Sequence, residues 1–253
     1  MEITILTALQ DNYIYMAADH AGNALVVDPA ESRPVLDCLQ QNNLTLSLIL
    51  TTHSHADHTG GIETLKHQTD CRVFGPQINS FTDLDPKPEP QKIDSPVGRF
   101  QVLLTPGHTS DSVCFYLPAS TSSAGVVFTG DILFVNGCGR LFSGDAQSLW
   151  QSLRMLAALP DETLVYCGHE YTEENYRFAL TIEPDNAAIR TRLLETRQAL
   201  RKGRPTVPST IGREKQLNPF LRADTAPIRR ALSMPDAPAW QVFAELRKRK
   251  DRM

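Results

Sequence analysis

Four times along this 253-residue chain an apolar run ends and a side chain able to bind a metal follows, once directly and three times through a short turn. Leu48-Ile49-Leu50-Thr51-Thr52 leads into His53-Ser54-His55-Ala56-Asp57-His58. Val102-Leu103-Leu104 leads through Thr105-Pro106-Gly107 to His108, and Val126-Val127-Phe128 through Thr129-Gly130 to Asp131. Leu164-Val165-Tyr166 leads through Cys167-Gly168 to His169. Short apolar runs closed by Gly-containing turns read as buried strands. In layered α/β proteins functional groups gather where such strands end, because a rigid sheet positions the loops there. Taken singly, each residue is explained by a hydrogen-bonded core histidine or an Asp capping a helix. Four repeats of the pattern are not.

The cluster at 53–58 carries four ligand-type side chains in six positions. Side chains alternate along an extended segment, so His53, His55 and Asp57 are expected to face one way. Asp57 and His58 are neighbours, so the chain has to turn if both serve one site. Thr59-Gly60-Gly61 then leads into a helix expected over 60–69. A strand end turning into a helix can aim ligands in two directions, the geometry of two metal sites sharing a loop. The competing readings are solvated loop histidines or a single structural zinc site. A closed structural zinc site usually recruits Cys, and the cluster contains none. Its N/O ligand set suits zinc, iron or manganese. Cys167, two residues before His169, is expected to be a small buried residue rather than a thiolate ligand.

Length and a 41% hydrophobic fraction fit one large domain, or a main domain with an appendage. No apolar run reaches membrane-spanning length, and Met1-Glu2-Ile3-Thr4-Ile5 does not read as a signal peptide. Five cysteines without a Cys-x-x-Cys pair argue against a disulfide framework and for a reducing, cytoplasmic setting. The net charge of −4 conceals an asymmetry: residues 1–185 carry 9 Lys/Arg against 23 Asp/Glu, and residues 186–253 carry 16 against 6. A basic tail suits nucleic acid. It equally suits a cationic wall for a small anionic substrate, or complementarity to the acidic body. No aromatic residues interleave the charges to stack on bases.

Strands are expected at 2–7, 13–18, 24–28, 47–52, 71–75, 100–105, 112–117, 125–130 and 163–167, and helices at 32–42, 60–69 and 145–158. Residues 76–99, rich in Pro and Asp, read as a loop excursion. From about residue 171 strand signals stop. Helices are expected at 173–182, 187–202, 226–233 and 238–250, with a mostly irregular stretch from 203 to 224. A helical tail after an α/β body is consistent with two packed units.

His-x-His-x-Asp-His followed by a distant His, Asp and His resembles the metallo-β-lactamase superfamily. Within it the chain resembles glyoxalase II, the hydroxyacylglutathione hydrolases. The likeness also rests on Gly137-Cys138-Gly139-Arg140-Leu141-Phe142, Cys167-Gly168-His169-Glu170-Tyr171-Thr172, Asn218-Pro219-Phe220-Leu221-Arg222 and the C-terminal Leu246-Arg247-Lys248-Arg249-Lys250-Asp251, so it covers essentially the whole chain. The resemblance implies an α/β fold, an αββα two-sheet sandwich over residues 1–170, and a C-terminal helical substrate-binding domain over 171–253. It implies two divalent metal ions per chain, zinc first, with iron or manganese also acceptable. His53, His55 and His108 would hold one ion; Asp57, His58 and His169 the other. Asp131 would bridge them together with the attacking hydroxide, and Asp57 could also orient that nucleophile. The implied reaction is hydrolysis of S-2-hydroxyacylglutathione, chiefly S-D-lactoylglutathione, to glutathione and D-lactate, the second step of methylglyoxal detoxification.

In the family, residues matching Arg140, Phe142, His169, Tyr171, Arg247 and Lys250 line the glutathione site. Some members carry Tyr where this chain has Phe142, so a side-chain hydroxyl is missing there. Arg247 and Lys250 also fit a solvated basic helix end favoured by the helix dipole. His20 and His67 fall outside the motif and are expected at the surface. The implied partner is a small glutathione thioester, with neither nucleic acid nor membrane, and a monomer. Three other functions are weighed against this one. A glutathione-persulfide dioxygenase of the same superfamily uses one iron, and the long basic tail argues against it. A nucleic-acid-processing member is suggested only by the tail's charge, and a non-catalytic metal-stabilised binding protein fits poorly with an open ligand set.

Overall fold

A computed structural model describes residues 3–76, 91–121 and 123–253. The chain forms two compact units: residues 1–104 with 111–130, and residues 105–110 with 131–253.

In the first unit, β1 (Ile3–Ala8), β2 (Asn12–Ala18), β3 (Asn23–Val27), β4 (Thr45–Leu50) and β5 (Arg72–Phe74) form one sheet in that order. The first three run antiparallel; β3, β4 and β5 run parallel. Parallel neighbours need crossovers, and α1 (Ser32–Asn42) and α3 (Ile62–Thr69) supply them. Strands β2, β3 and β4 are apolar on both faces because both are covered. Ile14, Met16, Val26, Leu46 and Ile49 pack with Val35, Leu39, Ile62 and Leu65 in one core. On the other face Tyr15 meets Phe128 with ring centroids 5.4 Å apart, and Phe100 lies 6.1 Å from Phe128. Those phenylalanines belong to an antiparallel meander of β6 (Lys92–Ser95), β7 (Gly98–Leu104), β8 (Val113–Leu117) and β9 (Val126–Gly130).

The second unit contains a tight hairpin of β10 (Leu133–Phe134) and β11 (Gly137–Cys138), helix α4 (Ala146–Ala157), and β12 (Leu164–Cys167) paired with β13 (Ser209–Thr210). Its remaining helices are α5 (Thr172–Ile182), α6 (Ala187–Arg201), α7 (Ile211–Leu217), α8 (Ala226–Ala231) and α9 (Ala239–Asp251). Asp145 caps α4 by accepting from the backbone N–H groups of Gln147 and Ser148, which fixes where that helix starts. Phe178, Phe220, Phe243 and Trp150 make a continuous aromatic core, with successive centroids 5.5, 5.9 and 6.0 Å apart. No helix among the described residues is long and apolar enough to cross a membrane. All five cysteines are buried free thiols.

Helix α1 spans the expected residues, and the ends of the other expected strands and helices shift by at most two residues. Three expectations need correction. Helical structure begins inside the ligand cluster at Ala56, earlier than expected, as the short α2 (Ala56–Thr59), with α3 following as a separate helix. Most of the expected loop at 76–99 lies outside the described residues, but Lys92–Ser95 forms β6, whose order comes from pairing with β7. The supposedly irregular 203–224 contains α7, which Thr210 caps by accepting from the Arg213 N–H. Gly212 in its first turn weakens the sequence signal. Burial of Glu214, which accepts from Asn136 N at 2.7 Å, Asn218 Nδ2 at 3.0 Å and Ser209 Oγ, holds the helix in place.

Candidate functional site

In the first unit the site is built on the loop after β4. His53, at a bend, and His55 lie between β4 and α2, and Asp57 and His58 in α2, where His58 N–H and Thr59 Oγ1 both bond back to the His55 carbonyl. Asp57 is therefore carried by a helical turn rather than by the strand face. Asn12, at the start of β2, donates from Nδ2 to both the backbone oxygen (2.9 Å) and Oδ2 (3.1 Å) of Asp57. His53 Nε2 and His55 Nδ1 converge to 3.0 Å. Two nitrogens on a tetrahedral ion at about 2.0–2.1 Å would stand about 3.3 Å apart, so this spacing suits two ligands of one cation.

Sequence reasoning missed Asp28. It sits just past β3 in the left-handed region (φ 50°), buried at 3% exposure. Its Oδ1 accepts from Thr52 N at 2.7 Å; its Oδ2 accepts from Thr52 Oγ1 at 2.8 Å and from His58 Nδ1 at 3.0 Å. A carboxylate only accepts, so the His58 proton is on Nδ1 and Nε2 carries a lone pair. The Thr52 hydroxyl spends its proton on Asp28. Its oxygen therefore accepts from His53 Nδ1 at 3.1 Å, leaving His53 Nε2 bare as well. One buried carboxylate thus sets the tautomer of two imidazoles, the arrangement that prepares histidines to bind metal. Gly130 closes this network from the end of β9: at φ 46° it adopts a backbone that disfavours side chains, and a Cβ there would collide with Thr52. The one sequence signal for Asp28 is its place after the apolar Leu25-Val26-Val27, the same strand-end position as the other ligand-type residues.

In the second unit Asp131, His108 and His169 come together. Asp131 Oδ2 lies 3.5 Å from His108 Nε2 and 3.4 Å from His169 Nε2, so one carboxylate oxygen faces two imidazole nitrogens. The Arg140 carbonyl lies 2.9 Å from His108 Nδ1 and accepts its proton, which frees Nε2. This contact requires the Gly137–Arg140 segment to pass close behind the ring. A Cβ at Gly139 would strike the Asp131 carbonyl and approach His108 Nδ1 to 2.9 Å. His169 is stacked on Tyr171 at 4.9 Å with rings 2° from parallel, and Phe134 meets both rings edge-on. Burial pushes the Cys167 thiol up to about 12, and its Sγ donates to the His169 carbonyl at 3.4 Å; it is a neutral packing residue.

The same unit holds the other residues implicated by sequence. Phe142 is 65% exposed, its ring edge-on to His108 at 5.1 Å. Arg140 is also exposed, its Nε 3.8 Å from Asp251 Oδ1. Arg247 is not a solvated helix end: it is 3% exposed, donates from Nη1 to the Cys138 carbonyl at 2.8 Å, pairs with Asp251 at 3.0 Å and lies over the Phe220 ring at 5.2 Å. Lys250 is half-buried, with Nζ 5.8 Å from the Phe178 centroid. Burial pulls its pKa down; Glu174 opposes that, and the charges of Arg247 and Arg140 reinforce it. His20 and His67 are exposed.

Each of the seven side chains His53, His55, Asp57, His58, His108, Asp131 and His169 belongs to a group of His and Asp residues that could hold a metal ion. Neutral imidazoles with one nitrogen already committed, and carboxylates beside them, are the donor set that divalent transition metals take.

Comparison with known proteins agrees. Residues 6–169 match the family model described as the metallo-beta-lactamase superfamily, and residues 170–253 that described as hydroxyacylglutathione hydrolase C-terminus. A hydroxyacylglutathione hydrolase of Chromohalobacter salexigens is 46% identical over 253 residues, covering 98% of this chain and 97% of that protein. Among solved structures, ETHE1 from Myxococcus xanthus superposes with a TM-score of 0.64 at 30% identity, covering 98% of this chain and 97% of its own. TTHA1623 in a di-iron-bound form has a TM-score of 0.59 at 26% identity, covering 87% of this chain and 100% of that one. The fold is thus the metallo-β-lactamase fold with a C-terminal helical region, its His/Asp set is that of a metal-binding protein, and the chain belongs to the hydroxyacylglutathione hydrolase (glyoxalase II) family.

Proposed function

We propose that this protein is a metal-dependent thioester hydrolase converting S-2-hydroxyacylglutathione, with S-D-lactoylglutathione foremost, to glutathione and a 2-hydroxy acid. The observation that carries the reading is the hydroxyacylglutathione hydrolase C-terminal match over 170–253 behind a complete His/Asp ligand set. His53, His55 and His108 would hold one divalent ion and Asp57, His58 and His169 a second, with Asp131 shared. The double approach of its Oδ2 to two imidazoles supports that sharing. Zinc leads the candidates, and the N/O donor set also accepts iron or manganese. Such a pair supplies Lewis acidity toward the thioester carbonyl and toward water.

The chain's own residues do the rest. Asp28 and Thr52 fix the imidazole tautomers, and Asn12 holds Asp57 in place to orient the nucleophile. Arg140 and Lys250 bind carboxylate, with Arg247 beneath them, and the Tyr171 hydroxyl is available to the peptide. Residues 1–170 would form the catalytic domain and residues 171–253 the substrate domain of a cytoplasmic monomer. The basic C-terminal region then serves a small anionic substrate rather than nucleic acid or a membrane. Loss of thioester absorbance with S-D-lactoylglutathione tests this, with oxygen uptake on glutathione persulfide run alongside. Oxygen uptake without thioester loss would assign the dioxygenase chemistry instead.

A further inference from the structure

The C-terminal turn of α9 contains a local conflict. A helix C-terminus carries partial negative charge and favours cations, yet the last helical residue is Asp251, following Lys248, Arg249 and Lys250. Its carboxylate has other partners. Oδ1 accepts from Arg247 Nε at 3.1 Å and lies 3.0 Å from Arg247 Nη2, filling one edge of that guanidinium, and it lies 3.8 Å from Arg140 Nε. The two pairs differ in kind. Arg247 is buried and separately anchored by the Cys138 carbonyl and the Phe220 ring, so it stays in place whether or not Asp251 does. Arg140 is 71% exposed and only loosely paired. Around Lys250 the charged groups are Arg247, Arg140, Asp251 and Glu174, three positive neighbours counting Lys250 itself against two negative ones. Arg249 is occupied elsewhere, by Glu245 at 2.9 Å.

We propose that Asp251 is an internal stand-in for a substrate carboxylate, occupying the Arg140–Arg247 cluster in the free protein and giving up Arg140 when a peptide carboxylate arrives. The inference rests on the substrate reading above and deepens it. Without a resident anion, the cluster would hold three cations against Glu174 alone and bind any carboxylate, including that of the thiol product. With Asp251 present, the incoming group must compete, which weakens binding of conjugate and product alike and lets the product leave. Arg140 is the arm that changes partner; the buried Arg247 is the fixed base.

Asp251→Asn is the informative variant, because it removes the charge while keeping an oxygen to accept from Arg247. At low salt, KM for the glutathione thioester and the inhibition constant of free glutathione should both fall about 2- to 5-fold, the range of a partly exposed charge pair. Calorimetric binding of glutathione should tighten equally, and kcat should not rise. The effect should shrink at 0.5 M salt and be absent with the S-lactoyl thioester of N-acetylcysteamine, which offers no carboxylate. In an Arg140→Ala background the same substitution should have less effect, since the mobile arm is gone. Asp251→Ser, which also removes the charge, repeats the test if the Asn variant does not fold. Unchanged KM and glutathione affinity would overturn the proposal. So would weaker binding, which would make Asp251 an orienting residue for Arg247. If the unaltered protein neither hydrolyses the glutathione thioester nor binds glutathione, the substrate reading itself falls and this inference with it. Turnover with an insensitive Asp251→Asn removes the inference alone.

Discussion

Asp28→Asn tests the tautomer network directly. Oδ1 is retained as acceptor for Thr52 N, but the atom replacing Oδ2 becomes an N–H donor facing two groups that were themselves donors, Thr52 Oγ1 and His58 Nδ1. Relief comes when His58 moves its proton to Nε2, the nitrogen a metal would need. The Thr52 hydroxyl turns to accept from the new amide, its proton swings toward His53 Nδ1, and that ring inverts as well. Loss of an outer partner of this kind weakens metal binding about 10- to 100-fold, or about 1.4–2.7 kcal/mol per ion. The two histidines are assigned to different ions, so both binding steps should weaken. Asp28→Ala differs: it strands three buried donors, each costing about 1–3 kcal/mol, and should lower the stability of the metal-free protein too. Metal affinity is read by competition with a chromophoric chelator, and metal-free stability by thermal melting. If Asp28→Asn binds both equivalents as tightly as the unaltered chain, the relay from Asp28 through Thr52 to His53 is wrong. Weakening of one step only would confine Asp28 to His58.

Asp131→Ala should remove metal from both sites together, because its Oδ2 faces two imidazoles; elemental analysis showing one retained equivalent would argue against sharing. Arg247→Ala should raise KM and also cost about 2–4 kcal/mol of stability, since it abandons a buried carbonyl and a carboxylate. Lys250→Ala should raise KM with little change in melting, and the contrast between the two melting curves is the check. Burial raises the Glu214 pKa. The folded state therefore holds its proton more tightly than the unfolded one. The resulting stability is fully present below the unfolded value of 4.5 and is lost as pH rises through the folded value. Glu214→Gln should flatten that part of the melting-temperature profile, and an unchanged slope would mean that another group produces it.

The basic tail shows where sequence and structure part. Its charge excess was evident from composition, but composition could not separate Arg247, buried against Phe220 and Cys138, from exposed neighbours such as Lys248. Both are cations at a helix end, and only packing of α9 against residues distant in sequence makes one of them interior. Glu214 is similar: its neighbours describe a short, Gly-interrupted segment, while its three hydrogen-bond partners are set by where the second unit folds.

What the sequence determined by itself was local and periodic. Apolar runs specified β2, β3, β4, β9 and β12; helix α1 was legible from its pattern, and α4 from the period of Leu149, Leu153 and Leu156. Ligand chemistry at the ends of β4, β7, β9 and β12 was equally readable, because side-chain type and strand position are both written along the chain. Tertiary structure alone decided β6, β10 and β11, whose two to four residues carry no period and are ordered by their partners. It also decided Asp28: an Asp after a strand is unremarkable in sequence. It becomes the group that fixes two histidine tautomers only because the parallel pairing of β3 with β4 brings the ends of those strands side by side, placing its carboxylate against Thr52 and His58.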